Sequence, residues 1–96
     1  REKNKMFKTD VIVVNPTGLH ARPASDFVAK AKSYESKVTI KRSGSDAPAK
    51  NAKSIVVVLS MGLAQGDSIE LAAEGADEEK AVTELAALIT SGFGEL

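Results

Sequence analysis

Over residues 67–74 the sequence alternates strictly: Ile69, Leu71 and Ala73 fall on one side, Glu70, Ala72 and Glu74 on the other. A period of two describes a strand with one dry face and one wet face. Residues 37–42 repeat it, with Val38 and Ile40 set against Thr39 and Lys41. Strands of this kind need a layer to cover the dry face, and two segments with helical periodicity supply it. Residues 21–33 place Ala24, Phe27, Val28 and Ala31 on one stripe, and residues 77–90 do the same with Ala81, Val82, Leu85, Leu88 and Ile89. Asp77, Glu78 and Glu79 stand in the first turn of the second helix, where the helix dipole favours acids, and Asp77 is its candidate cap. Gly92 and Gly94 mark its end.

The remaining segments complete the pattern. Residues 7–14 are rich in β-branched side chains and stop at the turn Asn15-Pro16-Thr17-Gly18, so a strand is predicted. Residues 43–50 carry the turn chemistry of Gly44, Asp46 and Pro48, and a short strand near 48–52 is expected to pair back onto 37–42. Residues 54–60 are ambiguous: the Val run favours a strand, whereas Ser54 as N-cap and Met61-Gly62 as a stop favour a short helix. The predicted order is β-α-β-β-(α)-β-α. It implies an α+β open-faced sandwich: a four-stranded, mostly antiparallel sheet covered on one face by helices.

At 96 residues the chain is long enough for one domain, expected over 6–96, with residues 1–5 as a frayed tail. No apolar run approaches a membrane span, and no apolar h-region follows the charged start; a cytoplasmic location is expected. The absence of cysteine excludes disulfides, thiolate nucleophiles and iron–sulfur clusters, and a single histidine excludes a multi-His metal site within one chain. No metal or cofactor is expected. Thirteen basic residues balance thirteen acidic ones, which argues against a nucleic-acid binder. The charge is uneven along the chain, however. Residues 1–53 carry net +7 and residues 54–96 carry net −7. Either the two halves mix on a neutral surface, or one face attracts anions or an acidic partner.

The single histidine, His20, lies where the 15–18 turn meets the first long helix. A helix N-terminus presents unpaired backbone N–H groups and partial positive charge, a ready anion site. Gly18 permits a sharp turn before the ring, and Pro23 fits the first helical turn, where its missing N–H is not needed. Pro23 also disfavours helical geometry at Arg22, so an irregular first turn is expected. The amides of Ala21 and Arg22 and the Arg22 guanidinium are placed to hold a phosphate. A neutral imidazole is a nucleophile near pH 7, and its phosphoramidate has high transfer potential. No Walker motif or acidic magnesium cluster accompanies it, so ATP binding is not expected. On chemistry alone a lone histidine at a helix start is more often a surface or capping residue, and Arg22 alone is usually a solvated charge.

The segment Thr17-Gly18-Leu19-His20-Ala21-Arg22-Pro23-Ala24-Ser25 resembles the phosphohistidine motif of the HPr-like family, histidine-containing phosphocarriers of the bacterial phosphotransferase system. Asn51-Ala52-Lys53-Ser54-Ile55 resembles the family's second motif, and Ser60-Met61-Gly62, Gln65-Gly66 and 73–77 follow at similar spacing. The resemblance spans residues 6–92. It implies that His20 accepts a phosphoryl group, through Nδ1, from Enzyme I charged by phosphoenolpyruvate, and passes it to the IIA domains of sugar permeases. The protein is then a covalent intermediate rather than a free-standing enzyme. Arg22 is implied as the phosphate-contacting arginine, with Thr17, Gly18 and Ala21 around the phosphate and Ser25 on the rim. Ile55, Val56 and Leu59 match partner-docking positions, and Ser54 matches a regulatory serine phosphorylated by an ATP-dependent kinase in Gram-positive members; HPr kinase/phosphorylase and a transcriptional regulator are further partners that the resemblance implies. The plain alternative for Ser54 is an N-cap. A monomer is the default expectation.

Val56 stands where many members carry Met and Val57 where many carry Gly. The longer 42–50 loop and Gly92-Phe93 resemble the nitrogen-related branch. The alternative is therefore a nitrogen-branch or regulatory relative that acts by phosphorylation-dependent docking.

Overall fold

The computed structural model describes residues 6–95; the expected tail over 1–5 lies outside the described residues, as does Leu96. The elements follow in the order β1 (Phe7–Ile12), α1 (Ala21–Lys32), β2 (Lys37–Arg42), β3 (Lys50–Asn51), α2 (Ile55–Ser60), β4 (Ser68–Glu74) and α3 (Glu78–Thr90), with a 3₁₀ turn at Gly92–Gly94. The sheet order is β1-β4-β2-β3, and every pairing is antiparallel. Because β4 lies between β1 and β2, those two strands run parallel to each other without touching. The helix α1 carries the chain across the strand that fills the gap.

Register sorts the two faces. Val11 lies opposite Ile69, Thr9 and Ile40 opposite Leu71, and Val38 opposite Ala73. This face meets Ala24, Phe27, Val28 and Ala31 of α1 and Ala81, Val82, Leu85 and Ile89 of α3 in one core. Lys8, Asp10, Thr39, Lys41 and Glu70 occupy the other, uncovered face, in the registers Asp10–Glu70 and Lys41–Glu70. The predicted open-faced sandwich is the observed architecture. Ala72 departs from the wet-face pattern: it is only 5% exposed, since it sits in a central strand between Lys8 and Thr39.

Strand ends move inward from the sequence reading. β1 stops at Ile12 and β3 shrinks to two residues. The ambiguous 54–60 segment is a helix. Its N-cap Ser54 accepts the Val57 N–H through Oγ at 3.3 Å, and Gly62 follows with φ 61°, donating to Leu59 O. The termini therefore outweigh the modest helix cost of three valines. Of its apolar side chains only Val58 is fully buried. Among the described residues no helix is long and apolar enough to cross a membrane.

The charged halves of the chain mix. Lys8–Glu70, Lys30–Glu84 and Arg42–Asp67 each join a cation of the first half to an acid of the second. The interleaved strand order enforces this: β4, from the acidic half, runs between two strands of the basic half.

Asp77 does not cap α3 with its side chain. Its carboxylate instead accepts Ser36 Oγ at 2.5 Å, Ser36 N at 2.9 Å and Glu35 N at 3.0 Å. The competing donors belong to the tight connection from α1 into β2, and they hold the Asp77 carboxyl at about 2, the Ser36 hydroxyl first among them. Because the folded value lies below the ordinary 3.8, the contribution is present above that value and is lost as pH falls toward 2. Acid titration of stability should therefore fall less steeply between about pH 4 and 2 in Asp77→Asn than in the parent chain. Parallel urea melts across that range check it; identical slopes would refute it.

Candidate functional site

The site is built on backbone before any side chain contributes. Gly18 has φ 68°, and a Cβ there would fall onto the Leu63 carbonyl and within 2.8 Å of Ala64 Cα. The next residue, Leu19, is fully buried and donates its N–H to Leu63 O at 3.0 Å. The loop after β1 thus lies flat against the loop after α2. Three further bonds close the seam: Gly66 N to Val13 O, Val13 N to Asp67 O, and Gln65 Nε2 to Val14 O.

Asn15 organises the turn from inside. It is fully buried, and its Nδ2 donates to Gly18 O at 2.9 Å, Thr17 Oγ1 at 3.3 Å and Glu95 Oε1 at 3.2 Å. The Gly18 N–H returns to Asn15 O. Gly18 therefore gives the site space, while its amide is spent on the turn. In sequence Asn15 is legible only as turn chemistry. The sole hint of more was its place ahead of Pro-Thr-Gly, where a short amide readily bonds nearby backbone.

Between the buried anchors Leu19 and Pro23, His20 is exposed. It is the N-cap of α1, in extended geometry at φ −127° and ψ 160°, and its side chain makes no capping bond. The imidazole is thus not spent on structure. Ala21 follows with φ 51°. For an alanine this is the left-handed region, at about 1–2 kcal/mol. The irregularity expected at Arg22 from the following proline falls one residue earlier, where it opens the helix. The amides of Ala21 and Arg22 belong to the first turn and have no carbonyl within α1 to receive them. The exposed Arg22 lines a shallow recess with Pro23, Asp26, Phe93, Gly94 and Glu95.

Thr17, named as a phosphate-side residue from sequence, already has a partner. Its Oγ1 donates to Glu95 Oε2 at 2.8 Å and its N–H to Glu95 Oε1 at 3.3 Å. These bonds, led by the Thr17 hydroxyl, hold the Glu95 carboxyl below its usual range. Nothing in sequence signals Glu95, since 78 residues separate it from Thr17.

Ser25 is exposed on α1. Ser54 is half-buried and caps α2. Ile55, Val56 and Leu59 are exposed at 37%, 72% and 40%, which makes α2 an uncovered apolar ridge. α1 packs against α2, and the loop leaving α2 is the one that clasps Leu19. The His20 loop and the ridge are thus fixed to each other through residues 61–64. Among the described residues, no group of three or more His, Asp or Glu is arranged to hold a metal ion.

The architecture defines a class of small α+β protein that displays one exposed histidine at an open helix start. The family profile described as "PTS HPr component phosphorylation site" matches residues 7–91, and the chain belongs to this family of phosphotransferase-system phosphocarriers. The chain is 42% identical over 85 residues to phosphocarrier protein HPr of Buchnera aphidicola, covering 88% of this chain and 96% of the relative. It is 44% identical over 86 residues to that of Borreliella burgdorferi, covering 90% and 96%. The solved structure of HPr-C-His from Thermoanaerobacter tengcongensis superposes with a TM-score of 0.86 at 42% identity, covering 94% of this chain and 98% of that one.

Two substitutions separate space from strain. Gly18→Ala meets backbone on two sides and a disfavoured φ, so it should cost roughly 2–4 kcal/mol. Ala21→Gly removes the left-handed penalty against a smaller rise in unfolded-state entropy, so it should stabilise by about 0.5–1 kcal/mol. Urea denaturation of both variants reads this directly; a stabilising Gly18→Ala or a destabilising Ala21→Gly would contradict the assignment.

Proposed function

We propose that His20 is the phosphoacceptor, loaded by phosphoenolpyruvate-charged Enzyme I and unloaded onto IIA domains of sugar permeases in the cytoplasm. The observation that carries this is an exposed, unbonded imidazole at the N-cap of a twelve-residue helix, inside the family's phosphorylation-site match. An imidazole nitrogen forms the P–N bond, the bond from phosphorus to the donor breaks, and the donor keeps that electron pair. Transfer to the IIA domain repeats the exchange with His20 as leaving group. The first-turn amides and Arg22 offset the charge of about −1.5 to −2 on the carried group. Both lie at the surface, so they steady the group without enclosing it, which suits onward transfer.

The ridge of Ile55, Val56 and Leu59 is the proposed docking surface for successive partners, with Ser25 on its α1 side of the site. Ser54 phosphorylation is proposed as regulatory. Its hydroxyl already accepts the Val57 N–H, and a phosphoryl oxygen takes over that role while adding negative charge beside the apolar ridge.

Incubation with phosphoenolpyruvate and Enzyme I should give an acid-labile, base-stable label, absent in His20→Ala. Arg22→Ala should slow loading by roughly tenfold, the scale of one charge-assisted phosphate contact. Label from the nitrogen-pathway Enzyme I alone would assign the chain to that branch. Label from neither would overturn the carrier reading of His20.

A further inference from the structure

The sheet ends on one side in β1, which pairs with β4 along its inner edge and, among the described residues, with no strand along its outer edge. An unpaired edge six residues long is a template for another strand, and proteins ordinarily blunt such edges with charge. The charges on this edge are Lys8 and Asp10, both exposed on the uncovered face. Asp10 stands directly opposite Glu70 of β4, a like-charge register that disfavours the single chain. One of its carboxylate oxygens accepts Ser43 Oγ at 2.9 Å, and the other has no partner among the described residues. Apart from the α2 ridge, the large apolar side chains exposed among the described residues are Met6 and Ile12, at 44% and 52%. They bracket β1 and share the alternation of Lys8 and Asp10.

We propose that the outer edge of β1 is a self-association surface, on which a second copy of this chain adds its own β1 antiparallel about a two-fold axis at Thr9. In that register Lys8 faces the partner's Asp10 and Asp10 the partner's Lys8, so the like-charge strain against Glu70 is relieved. Met6 meets the partner's Ile12 on the same face, and Phe7 meets the partner's Val11 on the covered face. Moving the axis by one residue sets Lys8 against Lys8 or Asp10 against Asp10. An axis between two residues sets exposed positions against covered ones. The helical layer fits the same register. α3 packs over β1 and β4, and its Thr83 and Thr90 line recesses shared with Phe7 and with Ile12. Beyond Glu79, the stripe that runs along the free edge therefore carries the short side chains Thr83, Ala87 and Thr90. With strands about 4.8 Å apart, the two α3 helices lie roughly 10 Å apart across the axis, the spacing of packed helices. α2 packs against α1 and β3, toward the other end of the strand order, so each protomer keeps its apolar ridge uncovered.

The test is sedimentation equilibrium of the full chain over a concentration series, in which the dimer fraction should rise with concentration. Lys8→Glu and Asp10→Lys, made separately, should each weaken association by about tenfold, because every altered contact occurs twice about the axis. The two changes combined should restore it. Within one chain Met6 and Ile12 lie about 20 Å apart at the two ends of β1, so a methyl contact between them can arise only between protomers. A mixture of isotope-labelled and unlabelled chain should show that contact in filtered nuclear Overhauser spectra. A chain still monomeric at millimolar concentration, a dimer that lacks the Met6–Ile12 contact, or a double variant that associates no more tightly than the single ones would each overturn the proposal.

Discussion

The approach of Gly18 to the Leu63 carbonyl is the constraint on which the rest of the site depends. Two loops, one after β1 and one after α2, lie so close that no side chain fits between them. The Leu19 N–H to Leu63 O bond and the fully buried Leu19 side chain lock that approach. The orientation in which α1 begins, and hence where its open amides lie, follows from backbone geometry. None of it is charged to the imidazole. His20 is left with no structural duty, and a side chain with no structural duty can change charge without unfolding its surroundings.

The loop that receives Gly18 needs its own support. Arg42 ends β2 in the register of the buried face, opposite Ile69, yet its guanidinium escapes the core at the strand end. It donates to Asp67 Oδ2 and to the carbonyls of Met61 and Gly62, while Asp67 accepts the Ala64 N–H. That amide and the Arg42 guanidinium hold the Asp67 carboxyl below its usual range. As an exposed ion pair this contributes little. Its weight is geometric: three backbone groups of residues 61–64 are held by one guanidinium–carboxylate unit. Nothing about Arg42 in sequence distinguishes it from the neighbouring wet-face Lys41, because what selects it is its position at the strand end.

Most of the fold was legible because its signals are local. Period-two strands, helical stripes and turn residues are read from neighbours a few positions apart, and they fixed the element order and the layer. Residues 54–60 resisted because their propensity and their caps point in opposite directions, and it is the Ser54 cap and the Gly62 stop that prevail. The Asp77 carboxylate was misassigned for a related reason: a cap is a local partner, whereas Glu35 and Ser36 lie about forty residues away. His20, Gly18 and Arg22 were legible as a motif. Glu95 was not, since its role exists only once residues at the two ends of the chain meet, and Asn15 was legible only as a turn residue, its bond to Glu95 being just as distant.

A carrier also has to satisfy a requirement that an enzyme does not. An enzyme gains from enclosing its reacting group, because exclusion of water strengthens every electrostatic contact at the transition state. A protein that hands the same group between two partners loses by deep enclosure, since each contact formed on loading must be broken on unloading. The geometry around His20 follows that logic. The imidazole is exposed, the open amides are those of a single helix turn, and the one arginine nearby is solvent-facing. The apolar ridge beside it comprises three partly exposed side chains, enough for a small, transient interface. On the proposed reading of His20, water exclusion and full stabilisation fall to whichever partner is docked, and end when it leaves. The rigid parts of this protein accordingly lie beneath the site, in the Gly18–Leu63 seam, rather than over it.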